Sequence, residues 1–185
     1  MDPYERFENA DMEKHYSEIP KFRKLLGYDK FIERVKQRDD IISLVCKLHW
    51  DMSEDVQNCA IETIKETVSE DDYDLLILSG YIFTWPNVVK ILKEAGYPKN
   101  IKALPSLILL LQDINWPGAV EGMSVMRGAD RKVLVPMLEI AIEEAHSTND
   151  EDWMSCIKRF LDFAEIDKSD FGNKEMYSLV EHVEW

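Results

Sequence analysis

An all-α fold, built as a short α-α superhelix of helical hairpins in a single domain, is what this chain of 185 residues predicts. Three observations predict it. Apolar residues recur at helical intervals in nearly every segment, and strict alternation over four or more residues is hard to find. Connections are short and carry breakers, at Gly27, Gly96-Tyr97-Pro98, Asp113-Ile114-Asn115, Gly128 and His146-Ser147-Thr148-Asn149. Tryptophan recurs at Trp50, Trp85, Trp116, Trp153 and Trp185, spacings of 35, 31, 37 and 32 residues, the period of two-helix solenoid repeats.

Taken in order, the pattern predicts helices over 18–26, 29–48, 53–69, 72–82, 85–95, 102–112, 116–127, 130–146, 151–165 and 173–183. In the second, Phe31, Ile32, Val35, Ile42, Val45 and Cys46 line one stripe, and in the third Val56, Ala60, Ile64 and Val68 line another at intervals of four. The apolar runs Leu75 to Phe83 and Leu104 to Leu111 read as buried helix, since they fall far short of the roughly 20 residues a membrane span needs. The fifth and seventh open alike. Thr84-Trp85-Pro86-Asn87-Val88-Val89 parallels Asn115-Trp116-Pro117-Gly118-Ala119-Val120, each with a capping residue, a Trp, and a Pro where the first helical turn tolerates one. Trp50-Asp51-Met52-Ser53 and Asn149-Asp150-Glu151-Asp152-Trp153 keep the Trp and the cap without the Pro. In the ninth, Trp153, Cys156, Ile157, Phe160, Leu161 and Ala164 follow the i, i+3, i+4, i+7 pattern. The first four tryptophans read as repeat markers and the last as chance. Short links imply antiparallel neighbours, hence about four stacked pairs in a right-handed superhelix: less regular helices over 1–49, repeats over 50–165 and a capping helix over 166–185.

The segment Ala103 to Asp113, with Trp116 to Met126 after it, resembles a HEAT repeat: an apolar first helix opening with Leu104-Pro105, an Asp in the turn, then a second amphipathic helix. Val133 to Ala145 with Trp153 to Phe163, and Ile41 to Leu48 with Val56 to Ile64, resemble looser copies. Leu111-Gln112-Asp113-Ile114-Asn115-Trp116-Pro117 is also similar to the signature of a small, mostly bacterial family known only as a domain of unknown function. The specific match covers about residues 98 to 165, and such membership implies a fold and no activity.

With 22 Lys and Arg against 36 Asp and Glu, the net charge is -14 and the sequence pI about 4.7. Nucleic acid is therefore not the expected partner, because phosphate binding gains its affinity from Lys and Arg contacts that release counterions. The charge is uneven: residues 1–49 are neutral, 50–75 carry -8, 76–138 carry +3 and 139–185 carry -9. Blocks of one sign can steer an oppositely charged partner, although solubility alone would also explain them. Three cysteines, Cys46, Cys59 and Cys156, show no paired spacing, and the N-terminus is acidic rather than basic-then-apolar. Both point to a cytoplasmic protein.

No motif for catalysis stands out. The four histidines are scattered, no Cys-x-x-Cys or His-Glu-x-x-His occurs, and none of the seven glycines forms a phosphate loop; no cofactor or metal is expected. Gly118, Gly122 and Gly128 read as close-packing or cap positions. His49 reads as a hydrogen-bonded helix-end residue, and Cys46 beside it as a buried structural thiol, since reactive thiols need an electropositive site. Asp71-Asp72 and Asp150-Glu151-Asp152 read as helix-start acids. The most specific motif is Gln112-Asp113-Ile114-Asn115-Trp116-Pro117. There Asp113 is expected to bind turn amides, Asn115 to cap the next helix, and Trp116 to be largely buried between consecutive pairs.

The function this favours is a monomeric, non-enzymatic helical-repeat protein that binds a basic protein partner, one version being a bacterial immunity or inhibitor protein. Candidate interaction residues are Gln112, Asp113, Asn115, Trp116, Pro117 and Trp85 of the turn motif, with Glu62, Glu66, Glu151 and Asp152 of the acidic blocks. The alternatives are an enzyme with carboxylates in a helical cleft and a DNA-lesion type of helical-repeat protein, for which Trp85 and Trp116 in the +3 segment are the candidate surface.

Overall fold

The computed structural model describes residues 28–77 and 82–184, and among these every regular element is helical. The expected helix over 18–26 and Trp185 lie outside the described residues. The α-helices are α1 (Tyr28–Gln37), α2 (Asp39–Cys46), α3 (Glu54–Thr67), α4 (Trp85–Ala95), α5 (Leu104–Leu109), α6 (Ala119–Arg127), α7 (Arg131–Ser147), α8 (Glu151–Phe163) and α9 (Lys174–Val180). Four short 3-10 segments join them: Glu70–Leu76, Ile82–Thr84, Lys99–Ala103 and Leu110–Gln112. No described helix is long and apolar enough to cross a membrane.

Helix starts follow local chemistry. Ser53, Asp130, Asp150 and Asn173 each accept from an amide of the following first turn, at 3.4, 2.8, 3.1 and 3.0 Å, which pairs one of the donors a helix start leaves open. Ends are closed by similar means. The buried Asn100 donates from Nδ2 to the Leu92 carbonyl (3.1 Å), so a residue beyond Gly96 ties down the last turn of α4.

Four expected helices come out differently, the one over 102–112 being α-helical only at Leu104–Leu109, with the 3-10 segments Lys99–Ala103 and Leu110–Gln112 on either side. The expected helix over 29–48 is broken at Arg38 into α1 and α2. The segment expected as helix over 72–82 forms 3-10 turns at Glu70–Leu76 and Ile82–Thr84, residues 78–81 lying outside those described. Arg34 accounts for part of this, because its Nη2 takes the Asp71 carbonyl (2.9 Å), one of the acceptors an α-helical ladder would use. The helix expected from 116 begins only at Ala119, since Gly118 sits at φ +86°, a left-handed conformation no right-handed helix admits.

Packing follows chain order. Elements 39–46, 70–76, 104–109, 131–147 and 174–180 each contact the next, and α3 contacts α4 as α4 contacts α6. Links between the two sets come from α2 on α3, α5 on α6, α7 on α8 and α8 on α9. Between them lies one continuous core. Most of the described residues of the apolar stripes fill it, Val56 at 38% exposed being an exception, and Ile41, Val45, Ile64, Leu75, Leu107, Ile108, Leu138 and Ile157 are fully buried.

Gly118 and Gly122 set the closest approaches. A Cβ on Gly118 would stand 3.3 Å from Pro86 N and Trp85 C, both backbone, so only glycine lets the 113–118 turn rest on the start of α4. On Gly122 it would meet the Leu110 and Leu107 side chains, which can move. Gly118→Ala is therefore expected to cost about 2–4 kcal/mol, a left-handed penalty of about 1–2 with backbone overpacking of a similar size. Gly96→Ala, at φ +68° with nothing within 4 Å, should cost the conformational part alone. Urea midpoints of the two variants check this, and equal losses would show that the backbone contact contributes nothing.

Candidate functional site

The turn motif is built by its own side chains. Asp113 Oδ1 accepts from the Asn115 amide (2.8 Å) and from Asn115 Nδ2 (3.0 Å), and the Trp116 amide donates to the Asp113 carbonyl (3.1 Å). Asn115 thus does not cap α6. Its side-chain amide is turned back to Asp113, and the N-cap is Gly118, which has no side chain to offer. Pro117 likewise stands outside the helix rather than in its first turn. Gln112 closes the preceding 3-10 segment, and its buried Nε2 has no hydrogen-bond partner.

Behind this turn lies α8. The Cys156 thiol is pushed up by burial, opposed by the Ile114 amide and raised further by Asp113, so the turn and the middle of α8 are neighbours. On the other side Trp116 meets Trp85 edge-on, with ring centroids 5.4 Å apart. The two differ in burial: Trp85 is 4% exposed, while Trp116 is only partly buried and packs against the rim of the core. Trp116, expected to be largely buried between consecutive pairs, is partly buried in a turn that lies ahead of α6. Asp113 and Asn115 direct these hydrogen bonds to each other, and Ile114, Trp116 and Pro117 are all partly exposed.

The tryptophans do not mark equivalent places. Trp50 lies four residues before α3, Trp85 is the first residue of α4, Trp116 lies three before α6, and Trp153 is the third of α8. Their environments diverge as well: Trp153 is 0% exposed, whereas Trp50 is 56% exposed and stacks on Phe83 at 4.2 Å. The helix starts themselves are more regular, with α3, α4, α6 and α8 beginning 31, 34 and 32 residues apart.

Nor are the acids of the 50–75 block all available. Asp72 is gripped by both Arg34 (2.8 Å) and Arg38, and Asp74 by Arg34 Nη1 (2.5 Å). This network was missed because Asp71 and Asp72 read as helix-start acids. Ser69 is the residue that caps the segment, its Oγ taking the Asp71 amide at 3.3 Å. A usable signal was present: Arg34 and Arg38 sit one turn apart, placing two cations on one side of their helical stretch. Glu70 and Asp71 face Lys99 and Lys102 at 3.5 and 4.0 Å. On α3, Glu62 pairs with Lys65 (3.0 Å), which also holds Glu94 (2.5 Å), while Glu66 is exposed and has no ion-pair partner among the described residues. Glu151 and Asp152 are exposed in the first turn of α8. The structure does not gather the candidates into one site: α3 packs on α2 and α4, while α8 packs on α7, α9 and Leu110–Gln112.

Nucleophile chemistry finds little support in the cysteines. Burial pushes the Cys46 thiol up to about 12, away from the thiolate that would react. His49 keeps its Nδ1 as acceptor for the Asp51 amide (3.1 Å) and lies edge-on to Phe83. Among the described residues no three of His, Cys, Asp and Glu come together as a metal-ion set. No family model matches this chain, and no curated protein or solved structure matches it.

Proposed function

We propose that this chain is a non-enzymatic HEAT-like helical-repeat protein of superhelical form, whose outer faces bind a basic protein partner. Helix starts at 31, 34 and 32 residues, with packing between successive elements, support the repeat architecture, in which each unit completes the core of its neighbour. A masking or immunity role toward a cationic protein is the concrete version. The observation that carries the binding reading is that Glu62, Glu66, Glu151 and Asp152 all stand exposed, on helices at opposite ends of the packing order with the mildly basic 76–138 segment between them. Such an arrangement offers two negative surfaces to one extended cationic partner.

The test is kinetic. Reversing Glu62, Glu66, Glu151 and Asp152 to Lys is expected to slow association with a basic protein captured at low salt by about tenfold or more. The helical circular dichroism should not change, because exposed charges contribute little to stability. Raising salt from 0.01 to 0.1 M, where the Debye length falls from about 30 to about 10 Å, should slow the parent in the same way. A captured partner indifferent to both salt and reversal would sink this reading and leave the acidity to serve solubility.

A further inference from the structure

A groove of about 580 Å³ opens where the end of α7, the first turns of α8 and the residues at and after α9 meet. Its composition is divided. Ala145, Met154, Leu179 and Val183 line it with apolar side chains, and Asp150, Glu151, Asp152 and Glu184 line it with carboxylates. Among the described residues neither lysine nor arginine lines it, and His146 is the only other ionisable side chain there. Asp150 already accepts from the Trp153 amide as the α8 cap. Glu151, Asp152 and Glu184 are exposed and make no ion pair among the described residues, unlike Asp72, Asp74, Glu94, Glu165 and Asp170, which each face an Arg or Lys.

A groove lined both by apolar side chains and by the unpaired carboxylates of Glu151, Asp152 and Glu184 suits one kind of side chain: a long aliphatic stem that ends in a cation, which buries its methylenes while its head meets the acids. Arginine fits better than lysine, since its guanidinium is the more weakly hydrated and can bridge two carboxylates. We infer that this groove seats an arginine side chain of the basic protein partner, and this inference rests on the reading proposed above. The site differs from the α3 acids in having a recess as well as charge, so it should select a side chain and not only attract a net charge.

The experiment titrates the full ¹⁵N-labelled chain at low salt with three capped tripeptides: tri-arginine, tri-lysine and tri-citrulline, the last a neutral isostere of arginine. Tri-arginine is expected to shift amides of His146 to Ser155 and Leu179 to Glu184, more tightly than tri-lysine, with tri-citrulline silent. The double variant Asp152→Asn with Glu184→Gln should weaken tri-arginine about tenfold, while Glu62→Gln with Glu66→Gln should change it less than twofold. If tri-arginine binds but its shifts fall on α3, or both double variants weaken it equally, the groove inference is overturned while the basic-partner reading stands. If none of the peptides binds, the groove inference also falls, and the fate of the broader reading is then decided separately by the salt and reversal kinetics.

Discussion

Trp153→Ala is expected to destabilise the fold by about 3–5 kcal/mol, the range for a large aromatic removed from a core that cannot collapse around the loss. For a chain of this size that corresponds to a fall in Tm of about 6–20 °C. Trp153 is the largest fully buried side chain among the described residues, on a helix that packs against α7, α9 and the Leu110–Gln112 segment at once. Three neighbours hold the void open. Trp116→Ala should cost only about 1–2 kcal/mol, since its ring is partly exposed and loses one edge-on aromatic contact, worth about 0.5–1.5 kcal/mol beyond area. Trp153→Phe separates volume from polarity. The buried indole Nε1 has no hydrogen-bond partner, so phenylalanine removes an unsatisfied donor as well as part of the ring, and should recover most of the loss. Urea midpoints at constant m-value measure all three. Equal costs for Trp153→Ala and Trp116→Ala would show that burial does not set the difference.

This contrast also shows what the sequence could carry. Helical spacing found α4, α7 and α8 to within a residue or two at nearly every end, because their apolar stripes are long and their starts hold Asp or Pro where the first turn favours them. The repeat period was legible for a related reason: each hairpin has a similar length, so its tryptophan recurs at about the same interval wherever in the hairpin it lies. Which tryptophan is buried was not legible, since a shift of three residues relative to a helix start moves a side chain from the core to the rim, as Trp116 shows. Glycine at 118 read as a close-packing or cap position, yet its left-handed φ and its contact with Pro86 depend on a residue 32 positions away. The same limit hid the stacking of Trp50 on Phe83 and the groove at Glu184, where the residues meet only through tertiary packing. Acid blocks were visible as composition, but which acids are neutralised was not, because Arg34 and Arg38 come from a segment with no net charge.

The Arg34 network should respond asymmetrically to loss of its two kinds of member. Burial works against the Arg34 charge, yet the hydrogen bonds and charges of Asp72 and Asp74 outweigh it and hold the guanidinium above its ordinary range. Asp74 leans the other way: burial raises its carboxyl above the usual value despite the attraction of Arg34. The Asp74 end decides, because its side chain is 15% exposed against 37% for Arg34, and its Oδ1 is buried with no hydrogen-bond partner. Arg34→Met would leave the Asp74 carboxylate facing a gap while Asp72 keeps Arg38, at a cost of about 2–3 kcal/mol, below the 3–5 of a fully buried pair because Arg34 is partly solvated. Asp74→Asn keeps the shape and removes the charge, and at pH 7 should stay within about 1 kcal/mol of the parent. The pH dependence follows from the direction of the shift. A carboxyl whose folded pKa is raised binds more protons folded than unfolded, so its penalty is complete above the folded value, eases as pH falls through it, and is gone below about 3.9. Parent stability should therefore rise relative to Asp74→Asn between pH 7 and pH 4. Asp40 and Glu94, held low by hydrogen bonds from Arg38 and Lys65, lose stability as the pH falls through their folded values, but they do so equally in both proteins and cancel from the difference. Urea titrations of parent, Asp74→Asn and Arg34→Met at several pH values read this directly. A parent-to-Asn gap that stays constant with pH, or an Asn variant as unstable at pH 7 as Arg34→Met, would mean that Arg34 fully compensates the buried carboxylate.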